Sequence, residues 1–444
     1  MSDLTHRRVL TIAVPIVLSN ATVPILGVVD TGVVGQIGEA APIGGVGIGA
    51  IILTMIYWIF GFLRMGTSGL TAQASGAKDT AEVSALLVRS LIIGLTAGIV
   101  IIALQSLLFA GAFRLSPATP AVEGFARDYM AIRIWSAPAM IALYGVTGWL
   151  IGQGRTGAVF AIQLLMNGIN IVLDLVFVLG FDWGVQGVAW ATFIAEWTGV
   201  SLGVWLCRDV FAVPAWRDWP RVLDRARLIN MAAVNTDIMI RSVLLQAIFV
   251  SFLFFGARFG EVQLAANHIL LQFLSVTGYA MDGFAVAAEA LVGNAMGARS
   301  RAALRRSALL SSFWGGVTCV LLAVVFAVFG TTIVAIMAKN IPVQEAAAIF
   351  LPYMVAAPIL GAAAWMLDGI FIGATRTKDM RNMMVVSAVI YFAMVIPLSQ
   401  FYGNHGLWIA FLLSFVVRGV TLAWKYPALE RASEPVAAPA ANSL

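Results

Sequence analysis

The chain has 444 residues, 61% of them hydrophobic and only 11% charged, with a formal net charge of +5. Soluble domains carry roughly 25% charged residues, so a chain this apolar cannot cover a water-exposed globule. That excludes a soluble enzyme or binding module and leaves an integral membrane protein.

A membrane-crossing helix needs about 20 mostly apolar residues. Hydropathy predicts twelve such spans, at roughly 9–34, 44–74, 83–111, 125–151, 157–180, 186–207, 228–256, 263–296, 307–337, 346–373, 382–401 and 406–426. The opening MSDLTHRR is polar and the apolar run after it is too long for a signal-peptide core, so no cleavable signal is expected. The basic residues support the count. With the N-terminus in the cytoplasm, most Lys and Arg, Arg89 among them, fall in cytoplasmic loops, and only Arg114, Arg127, Arg258 and Lys339 fall opposite. That is a strong positive-inside bias, with both termini cytoplasmic. The positive charge is therefore topological, and no nucleic-acid partner is expected.

Span 1 carries Pro15, Pro24 and Asp30. Proline removes an i→i−4 bond and permits a bend. Asp30 has no basic residue within a helical turn, and a buried carboxylate of that kind takes up a proton near neutral pH. Span 2 opens on Gly44-Gly45-Val46-Gly47-Ile48-Gly49, which lacks the Lys and the preceding strand of a phosphate loop and predicts close helix packing.

Span 5, TGAVFAIQLLMNGINIVLDLVFVLG, holds Gln163, Asn167, Asn170 and Asp174 at i, i+4, i+7 and i+11. At about 100° per residue they fall within roughly 60° of arc. A polar stripe ending in a carboxylate must turn from lipid toward other helices or a water-filled cavity. Asp30 and Asp174 form the leading carboxylate pair, able to share a proton or bind Na⁺. Span 6 adds Thr192 and, one turn on, Glu196.

The longest internal polar stretch, CRDVFAVPAWRDWPRVLDRAR, divides six spans from six. This predicts an N-terminal lobe over 1–208, a cytoplasmic linker over 209–226, a C-terminal lobe over 227–428, and an Ala/Pro-rich disordered tail over 429–444. The halves resemble each other. IGQGRT at 151–156 returns as IGATRT at 372–377, and Ala74-Ser75-Gly76-Ala77-Lys78 returns at the same offset as Ala295-Met296-Gly297-Ala298-Arg299. Duplicated units of six spans share one orientation, so the repeat axis runs along the membrane normal.

The C-terminal spans carry further charges. Asp237 and Arg241, at i and i+4 on span 7, predict a same-helix salt bridge. Asp282 and Glu289 share a face of span 8, as a second cation site or as partners of Arg64 and Arg418. Asp368 ends span 10 near the IGATRT turn. Tyr57, Met140, Tyr144 and Met281 are candidates for the wall of a substrate cavity. No nucleotide, metal or nucleophile motif is present, and Cys207 and Cys319 suggest neither a disulfide nor a metal site. The expectation is a transporter without cofactor, driven by an ion gradient. A flippase holding pyrophosphate on Arg64, Arg133, Arg241 and Arg418, a passive channel, and an intramembrane enzyme are the alternatives.

VDTGVVGQIG ending span 1, ASGAKD after span 2, IGQGRT after span 4, and the Asn170-to-Asp174 spacing resemble the multidrug and toxic compound extrusion (MATE) family, in the branch related to DNA-damage-inducible protein F. The resemblance covers about residues 8–428. It implies an all-α fold of twelve transmembrane helices in two pseudo-symmetric six-helix bundles, arranged as a V. It also implies a monomeric antiporter of the bacterial inner membrane that exports small organic, often cationic or amphiphilic, compounds in exchange for H⁺ or Na⁺. The family's cation site maps onto Asp30, Asn170, Asp174 and Thr192, and its bending proline onto Pro15.

Overall fold

A computed structural model describes residues 4–36, 40–115 and 119–434, except for the side chains of Gly27, Val28, Asp30, Thr31 and Leu115. The described residues are helical throughout, with no strand. The helices are α1 (His6–Gly35), α2 (Ala40–Gly76), α3 (Thr80–Ala103), α4 (Gln105–Leu115), α5 (Pro120–Gly152), α6 (Thr156–Gly180) and α7 (Gly184–Leu206). They continue as α8 (Arg225–Gly256), α9 (Glu261–Gly297), α10 (Arg301–Met337), α11 (Ile341–Gly373), α12 (Thr377–Tyr402) and α13 (Asn404–Arg431). Among the described residues, eleven helical stretches are long and apolar enough to cross a membrane. The one expected span outside these eleven is the sixth, α7, which has 23 residues, about 34 Å at 1.5 Å per residue, and so matches a hydrocarbon core of about 30 Å. Its Gln186, Thr192, Glu196 and Thr198 lower its apolarity. The third expected span is interrupted at Leu104, between α3 and α4.

By backbone contacts the chain forms two compact units, one of Met1–Val17, Ala72–Lys78 and Thr236–Leu444, the other of Leu18–Thr71 and Asp79–Asn235. In the first unit α9 packs on α10 and α11, and α13 on α11 and α12. Trp408, Phe252, Phe411 and Tyr391 fill its apolar centre. In the second, α3 packs on α5, α6 on α7, and α2 on α5. The core there includes Leu87, Val146, Trp149 and Ile162.

The repeat is written in the backbone as well as in the sequence. Asp79 caps α3 by accepting from Glu82 N at 3.0 Å, and its repeat equivalent, Ser300, caps α10 by accepting from Ala303 N at 3.3 Å. Thr119 and Asn340 cap α5 and α11 at the same offset. Left-handed residues recur likewise, Lys78 with Arg299 and Gly154 with Thr375.

Within the first unit the ends of α2 and α9 cross with their backbones in contact. A Cβ at Gly76 would collide with the Asn294 carbonyl, and one at Gly297 with the carbonyl of Gln73. Those are symmetry-related contacts, since 73 pairs with 294 and 76 with 297 at the repeat offset. Gln73 also donates to Gly373 O at 3.1 Å and to Thr375 Oγ1 at 3.0 Å, joining the end of α11 to the crossing. Gly76→Ala should destabilise the protein by about 1–3 kcal/mol through overpacking. Gly47→Ala, where nothing lies within reach of a new Cβ, should be neutral or stabilising. Thermal unfolding of the two variants in detergent, side by side, checks this.

The polar stretch between α7 and α8 is folded rather than loose. It forms short turns over Arg208–Ala212, Pro214–Arg217 and Trp219–Val222. Arg89, expected in a cytoplasmic loop, is instead a buried residue of α3. It donates to Val222 O at 2.7 Å, to Arg221 O at 2.5 Å and to Glu82 Oε1 at 2.6 Å. Arg227 also reaches Glu82. The guanidinium thus satisfies carbonyls at the end of the Trp219–Val222 turn that no helix would.

Candidate functional site

The polar stripe of α6 is turned inward. Asn167, Asn170 and Asp174 are buried, Gln163 is partly so, and Leu164 and Val172 on the opposite side are more than half exposed. An amphipathic helix in lipid must orient this way, because its polar groups have no water to bond in the hydrocarbon.

The stripe divides into two. Gln163 Nε2 donates to Asn167 Oδ1 at 2.9 Å, and Asn167 Nδ2 donates to Thr22 Oγ1 at 2.7 Å. This half fastens α6 to α1 at Thr22. Helix α1 runs unbroken through Pro15 and Pro24. The expected site residue Asp30 lies on α1, and its side chain is outside the described residues.

The other half joins α6 to α7. Asn170 Nδ2 donates to Asp174 Oδ2 at 2.9 Å and, more weakly, to Thr192 Oγ1 at 3.4 Å. The Thr192 hydroxyl donates to Val188 O at 3.0 Å, leaving its lone pairs directed away from that carbonyl. Asn170 is 1% exposed, Asp174 0% and Thr192 9%. The Asn170 Oδ1 oxygen is buried and has no hydrogen-bond partner among the described residues. The Asn170 amide presents its NH2 to both oxygens; turned over, its carbonyl oxygen would join the carboxylate and the hydroxyl in a set of hard oxygen donors, suited to a proton or Na⁺ and not to a soft metal. No group of three or more His, Cys, Asp or Glu residues able to hold a metal occurs among the described residues. Immediately after Asp174 the backbone widens to a π-helical turn over Leu175–Gly180. Such turns shift side-chain register by one residue and often mark functional positions.

Three other buried acids already hold arginines. Glu196, one turn beyond Thr192, accepts from Arg133 Nη2 at 2.6 Å. Arg133 also donates to the Tyr129 hydroxyl at 2.5 Å. Asp237 and Arg241 do not form the expected same-helix bridge. Asp237 accepts from Arg381 Nη1 at 2.6 Å and from Thr377 Oγ1 at 3.1 Å, both on α12. Arg241 Nη2 donates to Asp368 Oδ2 on α11 at 3.0 Å, and Arg418 Nη2 on α13 approaches the same oxygen at 3.8 Å. Arg418 therefore serves Asp368 and not Asp282 or Glu289. Of those two, Glu289 is buried and Asp282 partly buried on α9.

The candidate cavity residues go mostly to packing. Tyr57 is buried and its hydroxyl donates to Arg133 O at 3.0 Å. Met281 is fully buried, its sulfur 3.3 Å from Cys319 Sγ. Met140 packs against the core around Leu87 and Trp149, and Tyr144 is partly buried. Both cysteines are free and buried.

Sequence reasoning missed Thr22 and Arg381. Thr22 is a single hydroxyl in an apolar run, and Arg381 lies in a segment that reads as a basic loop. Neither carries a local signal, since each meets a partner on a helix distant along the chain, Asn167 for Thr22 and Asp237 for Arg381.

An all-helical bundle that spans a membrane and gathers a carboxylate, an amide and a hydroxyl between two of its helices has the makeup of a solute transporter. The MatE family model matches residues 15–176 and 238–396, and the chain belongs to that family, whose members are transporters and not enzymes. The starts of the two matched segments, 15 and 238, stand close to the repeat offset. The chain is 37% identical to DNA damage-inducible protein F of Escherichia coli over 93% of this chain and 90% of that protein. It is 25% identical to the probable multidrug resistance protein NorM of Deinococcus radiodurans over 95% and 94%. The fold matches the Vibrio cholerae MATE transporter VcmN in its bent form, with TM-score 0.87 and 19% identity over 97% and 98% of the two chains. A MOP superfamily transporter from Pyrococcus furiosus matches with TM-score 0.77 and 18% identity over 97% of each.

Proposed function

We propose that the protein is a cation-coupled antiporter. It exports small organic, often cationic or amphiphilic, compounds across a bacterial inner membrane in exchange for H⁺ or Na⁺. The lobes at 1–208 and 227–428 alternate in access to the two sides around the linker at 209–226, with the tail at 429–444 and both termini in the cytoplasm, and the unit is a monomer. The ion binds at Asp30, Asn170, Asp174 and Thr192, and α1 bends at Pro15 as the charge of its aspartate changes. Exchange requires only that ion and substrate favour different states or compete for one site.

The observation that carries this reading is the buried amide of Asn170 held against Asp174 and Thr192, with its Oδ1 lacking a hydrogen-bond partner among the described residues. Glu196, Asp237 and Asp368 are already neutralised by arginines. The same pairs weigh against a pyrophosphate flippase, because Arg133, Arg241 and Arg418 are engaged by carboxylates. Proteoliposomes loaded with a cationic dye test it. An imposed pH or Na⁺ gradient, without ATP, should drive dye efflux several-fold above the rate without a gradient, and which gradient does so names the ion. Ion conductance without dye movement would identify a channel instead.

A further inference from the structure

A second site lies at the end of α10, away from the acids above. Arg301, Arg305 and Arg306 stand in its first two turns, with Leu309 and Leu310 following. They line a groove of about 600 Å³ together with Glu430 of α13. Arg301 is engaged, its Nε on Glu430 Oε1 at 3.1 Å and its Nη1 on Glu434 Oε1 at 2.8 Å. Arg305 and Arg306 are exposed and form no ion pair among the described residues. After Arg306, α10 runs to Met337 without another charged residue. These two arginines therefore mark the depth at which the helix enters hydrocarbon, and the leucines beside them begin the apolar side.

We infer that this groove binds one anionic phospholipid, with its phosphodiester on Arg305 and Arg306 and an acyl chain along Leu309 and Leu310. Charge complementarity selects the occupant. With Glu430 held by Arg301, the groove presents two guanidiniums that form no ion pair among the described residues, and Arg forms bidentate bonds with phosphate oxygens. The apolar floor below them fits a chain attached to that phosphate and offers nothing to a free anion. Basic pockets between membrane helices hold acidic lipid headgroups by this arrangement.

The test is native mass spectrometry of the full-length protein in detergent, titrated with phosphatidylglycerol or with phosphatidylcholine of the same chains. Phosphatidylglycerol should be retained on the order of tenfold more strongly. R305Q/R306Q should lose that preference, while R225Q/K378Q, which removes as much charge elsewhere, should keep it. Equal retention of the two lipids, or an unchanged preference in R305Q/R306Q, would overturn the site. Competition by glycerol 3-phosphate at the lipid's own concentration would overturn the lipid assignment, since it would show that the acyl chain contributes nothing.

Discussion

Asp174→Asn is expected to uncouple transport. The amide keeps the volume of the carboxylate but neither carries charge nor titrates, so the ion loses the one formal charge that the α6–α7 cluster offers it. Coupling free energies between ligands run at about 1–3 kcal/mol. Gradient-driven dye efflux should therefore fall by roughly 5–150-fold, toward the rate without a gradient. Dye binding measured in detergent should survive, but it should no longer respond to pH or Na⁺. Thr192→Val, which removes one neutral oxygen of nearly the same shape, should weaken the ion response by a smaller factor. Full gradient-driven efflux by Asp174→Asn would remove this cluster from the mechanism. Loss of efflux with loss of folding would show instead that Asp174 is structural, so thermal unfolding is measured on the same preparation.

Asp368→Ala should cause the largest loss of stability. Asp368 is buried and carries the carboxylate oxygen approached by both Arg241 and Arg418. Removing it takes away the anion between two buried guanidiniums. Breaking a buried ion pair from one side costs about 3–5 kcal/mol, because the remaining charge stays out of water. The unfolding temperature in detergent should drop by several degrees, and expression should fall. The double variant Asp368→Leu with Arg418→Met replaces charge by apolar volume and should recover part of the loss, since such swaps are often neutral or better. A double variant no more stable than Asp368→Ala would mean that the two residues do not act as a pair. Asp368 is a structural partner of arginines, and Asp174 accepts from the Asn170 amide of its own helix.

Much of the architecture was legible along the chain. Apolar length located the spans, and the common offset of IGQGRT to IGATRT and of the Ala74 segment to the Ala295 segment located the duplication. The structure then reproduced that offset in chemically different residues, such as Asp79 and Ser300, which cap equivalent helices. Cap geometry is a property of backbone position, and several polar side chains meet it equally. The Asn170–Asp174 contact was legible too, because residues at i and i+4 meet on a helix face.

Ion pairing was not legible. Asp237 and Arg241 have that same spacing, yet Asp237 goes to Arg381 on α12 and Arg241 to Asp368 on α11. In a low-dielectric bundle a charge takes the partner that gives it the best-desolvated geometry, and helix rotation decides which neighbour that is. The polar linker tells the same story. Its sequence reads as a loop, but Arg89 of α3 binds its carbonyls and orders it. By itself, then, the sequence determined what is local: which segments are helices in a membrane, which face of each is polar, and that the chain is a duplicated transporter. Only the tertiary structure decided which arginines neutralise Glu196, Asp237 and Asp368, because that depends on contacts between helices distant along the chain.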